Sequence, residues 1–115
     1  MHRATRNGCE ESAMTAGGGP TSGNEGAYPV AIVGAGPVGL AAAAHLVARG
    51  ERPIVFESGS SIAAHVAAWG HVQIFSPWRY NVDAVAAKLL RAGGWVEPDP
   101  DVLPTGAELI AHYLS

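Results

Sequence analysis

Residues 28–57 read YPVAIVGAGPVGLAAAAHLVARGERPIVFE, and this stretch decides the fold. Its first part, 28–33, is a short apolar run rich in β-branched residues, which predicts a strand buried on both faces. A glycine-rich turn follows, and then a strong helix-forming run over 40–49 that Gly50 ends. Residues 52–57 predict a second strand. The order of strand, glycine turn, helix and strand predicts a right-handed βαβ unit with parallel strands.

The glycine turn has the spacing Gly34-x-Gly36-x-x-Gly39, and it stands between a predicted strand and a predicted helix. That context predicts a dinucleotide-binding turn. Gly34 permits the tight turn, Gly36 lets a pyrophosphate approach the backbone, and Gly39 lets the helix pack closely on the strand. Pro37 suits the first helical turn, where its missing N–H is no loss. The amides at the start of the helix are expected to face the anion.

Glu57 ends the second predicted strand, 18 residues after Gly39, close to the interval of about 20 residues that dinucleotide-binding folds show. A carboxylate at this place accepts hydrogen bonds from an adenosine ribose and repels a 2′-phosphate. Ser58 and the small residues after it supply no arginine that would offset this repulsion. The residues therefore predict FAD or NAD as the ligand, and not NADP.

Residues 30–57 resemble the N-terminal FAD-binding segment of two-dinucleotide-domain flavoproteins, which include flavin-containing monooxygenases and related FAD-dependent oxidoreductases. The Gly-Pro-x-Gly-Leu form of the turn is typical of the flavin site, so the resemblance favours FAD over NAD. It implies that FAD contacts the ribose-binding Glu57 and the pyrophosphate-binding residues Gly34, Gly36, Pro37, Val38 and Gly39.

Beyond Glu57 the resemblance is partial. Flavin monooxygenases carry a Gly-Gly-x-Trp element that touches the flavin, whereas this chain has Ala67-Ala-Trp69-Gly70. Trp69 is therefore a candidate flavin contact, although the glycine pair before it is missing. Arg79 has two interpretations, a contact to phosphate or flavin and an ordinary surface ion pair, and we favour the second. No residue of the chain is assigned a catalytic role.

The parts of the chain outside the βαβ unit are less distinctive. Residues 1–27 hold six glycines and no Val, Ile, Leu, Phe or Trp, so we expect a disordered tail before a domain that spans 28–115. Residues 71–75 alternate and are a candidate short strand, and 82–91 predict a second helix. Thr105 and Glu108 have the spacing of a capping box, which predicts a third helix.

Composition excludes several classes of function. The chain has 115 residues, 15% of them charged, and a net charge of −3 without a basic patch, so we expect no nucleic-acid partner. Cys9 is the single cysteine and the histidines form no ligand pattern, so we predict no metal site. No apolar run has the length of a membrane span, and residues 1–27 lack the apolar core of a signal peptide, which leads us to expect a cytoplasmic protein.

The predicted fold class is α/β, a partial Rossmann-type domain. A dinucleotide-binding half needs at least three parallel strands, and only two are clear in this sequence. We therefore expect an N-terminal segment of a longer flavin-dependent oxidoreductase, inactive alone, whose second strand exposes an apolar edge at 54–56 and whose fold a downstream polypeptide completes. The alternatives are a non-enzymatic dinucleotide-binding module or redox-responsive subunit, and the NAD-binding half of a dehydrogenase.

Overall fold

The computed structural model describes residues 2–4 and 28–115. The strands are β1 (His2–Ala4), β2 (Val30–Val33) and β3 (Pro53–Glu57). The helices are α1 (Pro37–Ala48), α2 (Ala64–Ala68), α3 (Trp78–Asn81), α4 (Ala84–Ala92) and α5 (Gly106–Leu109), the last continued by a π-helical turn over Ile110–Leu114. β2, α1 and β3 form the predicted βαβ unit.

The sheet has the strand order β1-β3-β2, which places β3 at its centre. β2 and β3 run parallel, with Val30 opposite Pro53 and Val33 opposite Phe56. This register brings the carboxyl ends of both strands to the same edge of the sheet. Ligands of open α/β sheets bind beyond that edge, so the register indicates the expected position of a ligand.

β1 corrects one expectation from the sequence. It pairs antiparallel with β3, His2 opposite Glu57 and Ala4 opposite Val55, so β3 is not the exposed edge of the sheet. The edge strands among those described are instead β1 and β2. Three of the four residues of β2 are exposed, Val33 to 83%, so the prediction of a first strand buried on both faces is wrong. β1 also lies within the predicted disordered tail. The remainder of that tail lies outside the described residues, and its disorder stays a prediction.

Helix α1 has Pro37 in its first turn, as predicted, and ends one residue before the end of the predicted run 40–49. Gly36 is its N-cap, Pro37 occupies the first helical position, and the helix runs to Ala48. The chain then turns through Gly50, whose φ of +78° lies in the region that favours glycine. α1 packs on β2, β3 and α4. Each helix between residues 28 and 115 is too short or too polar to cross a lipid bilayer.

The buried core lies among the later helices rather than on the sheet. It is formed by Ala63, Val66, Trp78, Leu109, Tyr113 and Leu114. The capping box that the sequence predicts is confirmed, since the Thr105 hydroxyl accepts from the Glu108 amide and the Glu108 carboxylate accepts from the Thr105 amide. The candidate strand at 71–75 is reduced to a single antiparallel bridge between Gln73 and Thr105.

Asp83 joins three elements of the molecule. Its carboxylate caps α4 by accepting from the amides of Val85 and Ala86, each at 2.9 Å. The same carboxylate lies 3.0 Å from His45 Nε2 on α1, and the Asp83 amide donates to the Tyr113 hydroxyl. These contacts hold α1 against the helical core, and with it the glycine turn at its N-terminus.

Replacing Asp83 with Ala should lower the free energy of unfolding by about 0.5–2 kcal/mol for the lost cap alone. Asn is also a good N-cap residue, so Asp83→Asn should retain the cap and lose only the charge opposite His45. Chemical denaturation at pH 7 measures both. An Asp83→Ala variant as stable as the parent would show that Asp83 does not hold these helices together.

Candidate dinucleotide site

The site is built around the turn that follows β2. Gly34 has a φ of +101°, a conformation that L side chains rarely adopt, and its amide donates to the Phe56 carbonyl at 2.7 Å. The turn is therefore an extension of the parallel pairing between β2 and β3. It bends sharply at Gly34 and directs the chain into α1.

Gly39 is required by close packing. A Cβ atom at this position would overlap the carbonyl oxygen of Gly34 and would also contact the side chain of Ile32. The first turn of α1 thus lies directly on the end of β2. Any larger residue at position 39 would force the helix away from the strand.

Gly36 faces open space. A Cβ at Gly36 would have no neighbour within 4 Å, so the backbone here is open to a ligand. Gly36 caps α1 without a side-chain hydrogen bond, and the first turn carries no acidic residue. The amides of Val38 and Gly39 lie in the first turn, where a helix has no acceptors of its own, and the helix dipole favours an anion there. Val38 is 84% exposed, which leaves this end of the helix uncovered.

Glu57 is enclosed by the turn after β2 and the loop after β3. The side chain is only 5% exposed. Oε2 accepts from the Ala35 amide at 2.8 Å, and Oε1 accepts from the Gly59 amide at 2.7 Å. The carboxylate therefore bridges the turn after β2 and the loop after β3.

These amides also set the charge of Glu57. Hydrogen bonds from the backbone N–H of Gly59, and then of Ala35, lower the pKa of the carboxyl below its ordinary value, against the smaller effect of burial. The group is consequently ionised at neutral pH. Two of its roughly four lone-pair positions accept the backbone amides, which leaves acceptor capacity for a further donor.

Ala35 links the turn to the next loop. It is fully buried; its amide donates to Glu57, and its carbonyl accepts from the Ala63 amide at 2.9 Å. Ala63 has a φ of +56°, and the left-handed conformation costs a non-glycine residue roughly 1–2 kcal/mol. The loop 58–63 is thus held beside the glycine turn at the carboxyl ends of the strands.

Trp69 lies at the end of α2, apart from the turn. Its ring packs against Gly106, where a Cβ would come within 2.7 Å of the indole, and the residue is 38% exposed. Its packing partner is thus a helix of the core. The assignment of Trp69 to the flavin stays a prediction.

The other candidate side chains are engaged elsewhere. Arg79 forms a surface ion pair with Asp101 at 2.7 Å, which is the interpretation that we favour from the sequence over a contact to phosphate or flavin. Nowhere in residues 28–115 do three or more metal-ligating side chains come together. Of the predicted site residues, the structure brings together at the turn Gly34, Gly36, Pro37, Val38, Gly39 and Glu57.

Sequence reasoning missed Ala35, Gly59 and Ala63. Ala35 is an unspecified position in the glycine pattern, and a small residue there gives no sign of which atoms its backbone will bind. Gly59 carried a usable signal, because a glycine two residues after the strand-end carboxylate allows the loop to fold back. A Cβ at Gly59 would lie 2.5 Å from the Cβ of Ala64.

Comparison with known protein families gives a match that covers more than half of the chain. A family model described as FAD dependent oxidoreductase matches residues 29–103. Neither the curated proteins nor the solved structures gave a significant match. The matched region begins just before β2 and contains the whole turn, Glu57 and the loop after it.

The lowered pKa of Glu57 predicts acid sensitivity with a defined sign. A carboxylate with a lowered folded-state pKa stabilises the fold above its ordinary value of 4.5, and the stabilisation is lost as pH falls through the folded pKa. Glu57→Gln should therefore be less stable than the parent at pH 7, and the difference should shrink in acid. Thermal unfolding from pH 7 to pH 3 measures this.

Glu97→Gln provides the control, because Glu97 pairs only with the exposed Arg91 among the contacts described. Exposed pairs contribute little, so this variant should follow the parent at every pH. Parallel pH curves for the parent and Glu57→Gln would contradict the bridging role of Glu57.

Proposed function

Because the chain belongs to the FAD-dependent oxidoreductase family, we propose that its glycine turn binds the pyrophosphate of FAD and that Glu57 binds the adenosine ribose. The observation that carries this proposal is the open backbone at Gly36 beside a tightly packed Gly39. Open space is needed where the anion approaches, and close packing is needed where the helix meets the strand. The residues present therefore fit the cofactor.

The ionised Glu57 supports a ligand without a 2′-phosphate. A carboxylate accepts hydrogen bonds from ribose hydroxyls, and its charge repels a second anion at the same place. FAD offers the hydroxyls of its adenosine ribose and carries no 2′-phosphate. When bound, it supplies the exchange of electrons or hydride that these enzymes require. The chain's own contribution is to bind and orient the adenosine and pyrophosphate through the turn, Glu57 and the neighbouring loop.

We further propose that the intact enzyme is monooxygenase-like, that it is cytoplasmic, and that this chain has no turnover alone. The resemblance of residues 30–57 to flavin-containing monooxygenases supports the proposal of a monooxygenase-like enzyme. The sheet supports the proposal that the chain has no turnover alone, because β2 is paired on one side only among the described strands and Val33 is largely exposed. The unpaired N–H and C=O groups along a strand edge can pair with another strand, so we propose that a strand of a downstream polypeptide pairs with β2.

The direct test is an absorption spectrum of the purified chain, followed by titration with FAD, NAD and NADP. Visible flavin absorption and a preference for FAD support the proposal. A preference for NAD would favour the dehydrogenase half, and a preference for NADP would contradict the role of Glu57. Oxidation of NAD(P)H should not exceed that of free flavin, and a higher rate would contradict the proposed inactivity.

Gly36→Ser separates binding from folding. Serine is a good N-cap residue, so this variant should be as stable as the parent or a few tenths of a kcal/mol more stable. Its hydroxyl would accept from the first-turn amides that the pyrophosphate needs. The loss of one charge-assisted hydrogen bond, ~1.5–3 kcal/mol, weakens FAD binding about tenfold or more.

Gly39→Ala is the contrasting variant. Its Cβ would overlap the Gly34 carbonyl oxygen, and such overpacking typically costs about 1–3 kcal/mol of stability. Thermal unfolding and FAD titration distinguish the two variants. Undiminished FAD binding by Gly36→Ser would refute the anion site, whereas a fully stable Gly39→Ala would refute the close packing.

A further inference from the structure

Ala63 has an unusual backbone for its type. Within the described part of the chain it alone among non-glycine residues has a positive φ, and its ψ is +31°. It stands at the end of the loop 58–63 and is the N-cap of α2, but it offers no side-chain cap. A strained conformation persists only where the surroundings determine it, and such residues cluster at functional sites.

The strained backbone makes a specific contact. The Ala63 amide donates to the carbonyl of Ala35, the residue between the first two glycines of the turn. Ala35 in turn donates to Glu57, and Glu57 also accepts from Gly59. A continuous chain of hydrogen bonds therefore runs from the start of the loop, through Glu57 and the turn, to the end of the loop.

The side chain of Ala63 holds this conformation in place. Its methyl group is buried and belongs to the core cluster that includes Val66 and Trp78. At the other end of the loop, Gly59 approaches Ala64 so closely that a Cβ there would lie 2.5 Å from the Ala64 Cβ. The loop is closed on itself and anchored to the core at one end.

We infer that Ala63 is a positioning residue for the dinucleotide site. By aiming its amide at Ala35 it holds the loop 58–63 as a preformed wall beside the turn, at the carboxyl ends of β2 and β3, where a dinucleotide binds. This inference rests on the proposed function. A wall formed in advance spares the ligand the cost of ordering the loop, so the buried methyl group of Ala63 contributes to affinity without contacting the ligand.

Ala63→Gly tests the inference, because glycine permits the positive φ but removes the methyl group that anchors it. Relief of the backbone strain at the positive φ stabilises the variant, whereas loss of the buried methyl group destabilises it. The midpoint of thermal unfolding should therefore stay within about 4 °C of the parent's. The affinity for FAD should fall. If the loop is in place for about a tenth of the time, the dissociation constant rises about tenfold.

The matched control is Ala92→Gly, the same change at an exposed position at the end of α4. It should leave FAD binding unchanged. Hydrogen exchange of the amides in 58–63 is the second measurement, and it requires no ligand. Exchange should be faster in Ala63→Gly than in the parent and unchanged in Ala92→Gly.

The outcomes are distinct. Weaker FAD binding by Ala63→Gly with faster loop exchange and a preserved midpoint supports the inference. Parent-like affinity or parent-like exchange overturns it and leaves the proposed function intact, since the loop then needs no anchor at Ala63. Failure of the parent itself to bind FAD overturns the proposed function and this inference with it.

Discussion

The close contact between Gly39 and the Gly34 carbonyl is the constraint on which the rest of the site depends. It brings the first turn of α1 onto the end of β2, so that the unpaired amides of the helix lie at the carboxyl edge of the sheet. If the helix lay farther away, the same residues would still form a helix and a strand. Their backbone groups would no longer converge beside Gly36, where we propose that the anion binds.

Glu57 then adds a second constraint across the sheet edge. The turn and the loop after β3 are separate segments, and the carboxylate joins them by accepting one amide from each. A neutral side chain could not accept both hydrogen bonds as strongly, because charge-assisted bonds are about twice as strong as neutral ones. Glu57 is thus both a structural link and the expected ribose acceptor. The same backbone hydrogen bonds keep the carboxylate ionised, which favours the proposed hydrogen bonds from ribose hydroxyls.

The sequence predicts the βαβ unit, the approximate bounds of α1 and the place of Glu57, because each rests on local rules of periodicity, helix capping and spacing. The same rules predict the capping box at Thr105. They do not predict β1, a three-residue segment without a strand pattern, whose pairing with β3 joins residues far apart in the chain. They also miss Ala63, because a positive φ at alanine contradicts its intrinsic preference and arises from tertiary packing.

The distribution of buried residues gives the last step of the argument. The core of the described chain lies among α2, α3, α5 and the terminal turn, whereas β2 is mostly exposed and α1 has no fully buried residue. The glycine turn is therefore anchored from the helical side, through Ala63 to Ala35 and through Asp83 to His45. This arrangement anchors the turn independently of the outer side of β2, which pairs with none of the described strands. The geometry of the turn consequently does not depend on whether a further strand pairs with β2.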